Sequence, residues 1–192
     1  MLNVSTVQND ILTKLNAFER EVQEVYKTLV LPHWGGELHG FPYTLYGYMM
    51  TCFAYIDLLS AYWKGNDNSQ TERMIAFMGE YIFPNREANS VAVQVWRHKL
   101  MHTSEPRFLT NRTTGKVSKW LLHWREHLPI DQHYTFQETS DMKSLNIGLM
   151  YLIVDIKRGA ERYLTDLAVS SQLQENYEQF QNELDSYNLR NY

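Results

Sequence analysis

Tyr43-Thr-Leu-Tyr-Gly-Tyr-Met-Met-Thr-Cys-Phe-Ala-Tyr-Ile-Asp-Leu-Leu-Ser-Ala-Tyr-Trp63 is the stretch on which the fold turns. It is as long as the roughly 20 residues that cross a bilayer. Yet it carries Thr44, Thr51, Asp57 and Ser60, has no flanking cationic cluster, and draws its apolarity from tyrosine more than leucine. Leu45, Met49, Cys52, Ile56, Leu59 and Trp63 recur at helical spacing. The segment therefore predicts a buried helix of a bundle, with no membrane contact.

Working outward, Ser5 and Gln8 form a capping-box signature ahead of Ile11, Leu15, Phe18, Val22, Tyr26 and Leu29, which predicts a first helix over 7–28. Pro32, Gly35, Gly36, Gly40 and Pro42 break the chain before the central helix. After a turn at 65–69, a box at Ser69 and Glu72 opens a helix with Met74, Phe77, Met78 and Tyr81. A fourth helix is predicted over 87–101. Residues 103–115 are turn-like, and 117–124 with 133–137 read as a short strand pair. A long helix is expected to resume after Asp141, carrying Leu145, Leu149, Leu152, Ile156, Ala160 and Tyr163. Ser171 and Gln174 open a last helix over 171–192 with Leu173, Tyr177, Phe180, Leu184 and Tyr187, a face that seals the bundle or mates with a second subunit. The expected fold is mainly α: one up-and-down helical bundle over 1–192, with 103–140 inserted as a loop and β-hairpin after the fourth helix.

Cys52 is the one cysteine and lies inside an apolar run, so a disulfide framework is excluded and a buried structural thiol is expected. Met1 to Asp10 is polar and lacks a cationic start followed by an apolar stretch, which reads as a cytoplasmic protein. A net charge of −4 gives no global case for nucleic acid. The middle of the chain differs: Arg97, Lys99, Arg107, Arg112, Lys116, Lys119 and Arg125 face only Glu105 and Glu126, with His98, His102, His123 and His127 interspersed. Such a segment attracts phosphate, or else keeps solvated loops soluble.

Glycine-rich phosphate loops, the dinucleotide fingerprint, the nucleophile elbow and the HExxH zinc motif are all missing from the sequence. What remains is Arg97-His98-Lys99-Leu100-Met101-His102. Arginine offers a permanently charged fork matched to phosphate oxygens, and histidine exchanges protons near neutral pH. Together they suffice to cleave a phosphodiester with no metal or cofactor. On a straight α-helix, five residues at about 100° each leave Arg97 and His102 roughly 140° apart. They would flank a groove, and a symmetric homodimer would set two such pairs across one cleft. Asp57 is a candidate supporting carboxylate that orients His102 or pairs with Arg97, or else a plain exposed aspartate. Rival readings stand beside these. His98 with His102, and His123 with His127, lie one helical turn apart and can bind a metal; Val91, Val95, His98 and His102 can equally form an ordinary helix face. Trp96, Trp120 and Trp124 either stack on bases or belong to the core.

The Arg-polar-x-x-x-His pattern of Arg97, His98 and His102, near the end of a bundle helix and followed by a loop, a hairpin and a long helix, resembles the HEPN superfamily, with similar element order over roughly 15–167. The resemblance implies a metal-independent endoribonuclease acting as a homodimer, of toxin–antitoxin or phage-defence type, or a non-catalytic relative that binds RNA or protein. It implies Arg97 and His102 as catalytic with His98 supporting, RNA as substrate, and Lys99, Arg107, Arg112, Lys116 and Lys119 as RNA contacts. An antitoxin-like partner is a further implication. Ser104, however, stands where some toxin members carry the tyrosine their antitoxin modifies.

Overall fold

The computed structural model describes residues 2–33, 41–101, 108–111, 113–124 and 128–190. Helix α1 (Val4–Val25) starts at Asn3, whose side chain accepts from the Thr6 amide. The capping-box start at Ser5 is thus displaced, because Asn3 reaches the free amides of the first turn sooner. Val7, Ile11, Leu15, Phe18 and Val22 are buried along one face, and the backbone then widens into a π turn, Tyr26–Val30. Helix α2 (Phe41–Lys64) is the centre of the molecule: Met49, Cys52, Phe53, Ile56 and Leu59 are essentially inaccessible. Burial pushes the Cys52 thiol far above its ordinary range, as befits an inert core residue. Among the described residues no helix is long and apolar enough to cross a membrane.

Gly65, with φ +80°, turns the chain beneath Asn176, whose side chain donates to the Trp63 carbonyl at 2.7 Å. Helix α3 (Gln70–Tyr81) then runs back along α2, burying Met74, Phe77, Met78 and Tyr81. Ser69 precedes it in the left-handed region (φ 52°) and makes no side-chain cap, contrary to the box signature with Glu72. Helix α4 (Arg86–Val95) is capped by Asn85 and runs into a second π turn, Trp96–Leu100.

The β region departs from the expected hairpin. Strands β1 (Leu109–Thr110), β2 (Val117–His123), β3 (Phe136–Glu138) and β4 (Met142–Gly148) form one sheet in the order β1-β2-β4-β3. The two segments expected to pair, β2 and β3, are not neighbours; β4 lies between them, parallel to β2 and antiparallel to β3. Residues 142–148, expected as the first turns of a long helix, form this central strand. Leu145 and Ile147 alternate inward there, opposite Trp120 and Leu122. Helix α5 (Leu149–Val169) starts only after Gly148.

Helix α6 (Ser171–Arg190) is opened by Ser170, whose Oγ accepts from the Leu173 amide, one residue earlier than expected. It packs against α2, where Tyr177 stacks on Tyr62 at 4.5 Å and Phe180 meets the same ring edge-on. Of the two roles open to this face, sealing the bundle is the one these contacts serve. Among the described residues one apolar cluster joins the six helices to the inner face of the sheet.

Candidate functional site

The motif lies where α4 changes its hydrogen bonding. Ala88, Ala92, Val93 and Val95 bury the helix, and Trp96 continues that face by stacking on Phe53 of α2 at 6.0 Å. Trp120 of β2 stacks on the same Phe53 ring at 5.2 Å, and Trp124 packs on Tyr26 and Tyr48. All three tryptophans are thus core residues, which leaves none exposed as a stacking platform. From Trp96 the ladder runs i→i+5: the Met101 amide donates to the Trp96 carbonyl. Single π turns of this kind recur at functional sites.

Arg97 is half-buried, and its Nη1 donates to Thr71 Oγ1 at 2.7 Å, a tie from the motif to the first turn of α3. His98 is exposed. His102, Arg107 and Arg112 lie outside the described residues, as does the side chain of Lys99. Lys116 is paired at 3.1 Å with Glu138, a carboxylate that Lys143 shares. Lys119 places its ammonium 5.9 Å from the centroid of the Phe108 ring. Among the described residues no three histidine, cysteine or carboxylate side chains are grouped to hold a metal.

The partners of Asp57 differ from those expected. Its Oδ1 accepts from Arg73 Nη2 and its Oδ2 from Gln70 Nε2 at 2.6 Å. Arg73 is buried and also donates to Ser60 Oγ (3.0 Å) and to the carbonyls of Asn66 (3.1 Å) and Asn68 (3.3 Å). The antiparallel return of α3 along α2 sets position 57 opposite 70 and 73, so the carboxylate is engaged in bracing the α2–α3 turn. The bond to Arg97 comes instead from Thr71.

A second constellation matches none of the sequence motifs. His133 is almost completely buried; its Nδ1 accepts from the Gly148 amide at 3.0 Å, and its Nε2 lies 3.2 Å from Asp155 Oδ2. An acceptor at Nδ1 places the proton on Nε2, which lies near Asp155 without a hydrogen bond to it. The rings of Phe83, Tyr134 and Tyr151 surround it. Beside it Tyr134, at φ 58°, stacks on Phe83 at 3.6 Å and donates to Asn89 Oδ1; burial pushes its hydroxyl well above the ordinary range. His133 pins the 128–135 loop to the β4–α5 junction, and Tyr134 pins it to Phe83 and to Asn89 of α4. A polar groove along α1, lined by Thr13, Asn16, Glu19, Arg20 and Gln23, contains no motif residue.

No family model matches the chain, and no curated protein or solved structure shows significant similarity to it.

Proposed function

We propose that the chain is a HEPN-like, metal-independent endoribonuclease acting as a homodimer, with Arg97 and His102 at its centre and His98 in support. The observation that carries the reading is the π turn at Trp96–Leu100. In α geometry, residues five apart diverge by roughly 140°. In i→i+5 geometry they are neighbours on successive turns, and five is the spacing from Arg97 to His102. A widened turn that includes Arg97 supports a shared site, with His102 itself outside the described residues. In the proposed reaction an imidazole takes the proton of a ribose 2′-hydroxyl. The O2′ then bonds to phosphorus, the P–O5′ bond breaks, and the leaving oxygen receives a proton. The guanidinium steadies the charge on the phosphoryl oxygens. The products are a 2′,3′-cyclic phosphate and a 5′-hydroxyl.

The purified full chain should cleave RNA in the presence of a chelator and leave cyclic-phosphate ends. Arg97→Ala and His102→Ala should each abolish cleavage at unchanged helical content. Cleavage that survives His102→Ala defeats the assignment, and a monomer by light scattering under cleaving conditions defeats the dimeric site.

One contact favours a second reading, a non-catalytic RNA- or protein-binding module. Part of the Arg97 guanidinium is committed to Thr71, as in a group that supports the fold rather than a reacting phosphate. That reading expects RNA binding without turnover, with Arg97→Ala changing affinity alone. A cytoplasmic toxin or defence setting, with an antitoxin-like partner, accompanies only the first reading.

A further inference from the structure

Four consecutive side chains open α3, and each bonds to another element. Gln70 donates to Asp57 of α2 at 2.6 Å, and Thr71 Oγ1 accepts from Arg97 Nη1 at 2.7 Å. Glu72 accepts from Arg86 of α4 at 3.2 Å, and Arg73 donates to Asp57 and to Ser60 Oγ of α2. Thr71 lies between Gln70 and Arg73, which share the two oxygens of the Asp57 carboxylate, so the backbone beneath it is held from α2. Threonine is itself stiff, because two heavy atoms on Cβ restrict χ1. Thr71 thus offers Arg97 a hydroxyl whose position is already set.

The two arginines at this turn differ in how their charge is met. Arg73 is buried and has Asp57 as its counter-charge. Arg97 is half-buried, and among the described residues its guanidinium bonds only to the neutral Thr71 hydroxyl and pairs with no carboxylate. That bond is made at Nη1. It leaves the Nε–Nη2 edge, whose two parallel N–H groups match the oxygens of a phosphate. A carboxylate in place of the hydroxyl would fix the fork and cancel its charge; the hydroxyl fixes it and leaves the charge whole.

We propose that Thr71 is a positioning residue of the Arg97–His102 site, anchoring Nη1 so that the Nε–Nη2 edge meets the phosphoryl oxygens as charge builds on them. The inference rests on the ribonuclease reading and adds the group that orients its arginine. A guanidinium already held by one nitrogen loses less freedom when the transition state forms than one swinging on a solvated side chain. The charge it answers is greatest in that state, so the anchor acts on turnover and little on substrate affinity. In the binding-module reading the same contact supports the fold alone, and measurement separates the two roles.

The test is steady-state cleavage of a labelled, mixed-sequence single-stranded RNA by the full chain in chelator, together with NMR spectra of the arginine N–H groups. Thr71→Val keeps the side chain's shape and removes its hydroxyl; it should lower kcat by roughly 10- to 100-fold and leave KM within about twofold. Thr71→Ser keeps the oxygen and should hold kcat within about threefold of the unmodified chain. Thr71→Ala is a second hydroxyl-free variant and should match Thr71→Val, with circular dichroism showing that each is folded. The Arg97 Nη protons should be resolved in the unmodified chain and in Thr71→Ser, and averaged by rotation in Thr71→Val. Turnover by folded Thr71→Val within about twofold of the unmodified chain, a change confined to KM, or a Thr71→Ser variant as slow as Thr71→Val overturns the positioning role and leaves the ribonuclease reading in place. An unmodified chain with resolved Arg97 protons that cleaves no RNA brings down the ribonuclease reading, and the positioning role with it.

Discussion

Replacing Asp57 by alanine separates its structural role from a catalytic one. Arg73 is about 3% exposed at its side chain, and Asp57 supplies its only counter-charge among the described residues. Removing the carboxylate leaves a guanidinium among three neutral acceptors, Ser60 Oγ and the carbonyls of Asn66 and Asn68. Breaking a buried ion pair from one side costs about 3–5 kcal/mol. Because Asp57 is about a quarter exposed, water reaches the vacated position and the lower end of that range applies. For a chain of this length about 3 kcal/mol lowers the melting temperature by roughly 6–12 °C. Urea unfolding followed by circular dichroism measures the loss directly, and the Asp57→Ala/Arg73→Met double variant should recover about 1–3 kcal/mol of it. The functional alternative makes the opposite forecast: if Asp57 oriented the reacting histidine, Asp57→Asn would lose RNA cleavage at nearly native stability. A loss below about 0.5 kcal/mol for Asp57→Ala, within the range of ordinary surface changes, refutes the bracing role.

Replacing His133 by leucine removes the acceptor of the Gly148 amide and the neighbour of Asp155. It should cost about 1–3 kcal/mol and accelerate hydrogen exchange at that amide; unchanged exchange would show that the loop is held by its aromatic contacts alone. Gly159→Ala would set a methyl 2.7 Å from Ile82 Cγ1 and 3.1 Å from the Tyr81 carbonyl, where α5 meets the end of α3. The overlap should outweigh the gain in helix propensity and destabilise by about 1–3 kcal/mol, with Ile82→Ala relieving part of it in the double variant. At high pH the sign follows from the buried tyrosines. Burial, then the Asp166 hydrogen bond, raises Tyr81 to about 12, and burial raises Tyr62, Tyr134, Tyr163 and Tyr177 as well. Above pH ~10 the unfolded chain releases protons that the folded chain keeps, so stability is unaffected at neutral pH and falls as pH climbs through about 10–12. Phenolate absorbance should rise late in the native protein and near pH 10 in denaturant; coincident curves would contradict the burial.

The helical skeleton was legible because each helix buries a stripe at its own period. Ile11, Leu15, Phe18 and Val22 in α1, and Met49, Cys52, Ile56 and Leu59 in α2, are buried where the spacing put them. The caps slipped because a serine becomes a cap only when its backbone allows it. Ser69 sits at φ 52°, and Asn3 and Ser170 take the roles read into Ser5 and Ser171. Strand β4 was misread because Leu145, Leu149 and Leu152 fit a helical period as well as Leu145 and Ile147 fit an alternating one. Its decisive partner, β2, is remote in the sequence. The same remoteness hid the pairing of Asp57 with Arg73 and of His133 with Asp155. In each case the sequence marks an ionisable group among apolar ones without saying which other element will face it.

The π turns set the limit of what spacing alone conveys. Both open with a buried aromatic seated against another ring, Tyr26 on Trp124 and Trp96 on Phe53, and both close on a buried aliphatic, Val30 and Leu100. Each also has a cation at its second position, Lys27 and Arg97. A widened turn is therefore, first of all, a packing solution this chain uses twice where a broad ring must enter the core. Five residues beyond Lys27 stands Pro32, which has no proton to exchange; five beyond Arg97 stands His102. The two turns share their geometry and differ in chemistry, so the support that the π turn lends to the proposed phosphodiester cleavage becomes specific only through the imidazole at position 102. A change of spacing tests it. Restoring the α-helical count by deleting one residue between Arg97 and His102 should preserve the fold's outer packing less well than a His102 substitution, yet keep the two groups on one face at a spacing of four. Cleavage by the deletion variant and none by His102→Ala would assign catalysis to the shared face. A deletion variant of native helical content that fails to cleave would reduce the π turn to a feature of the core.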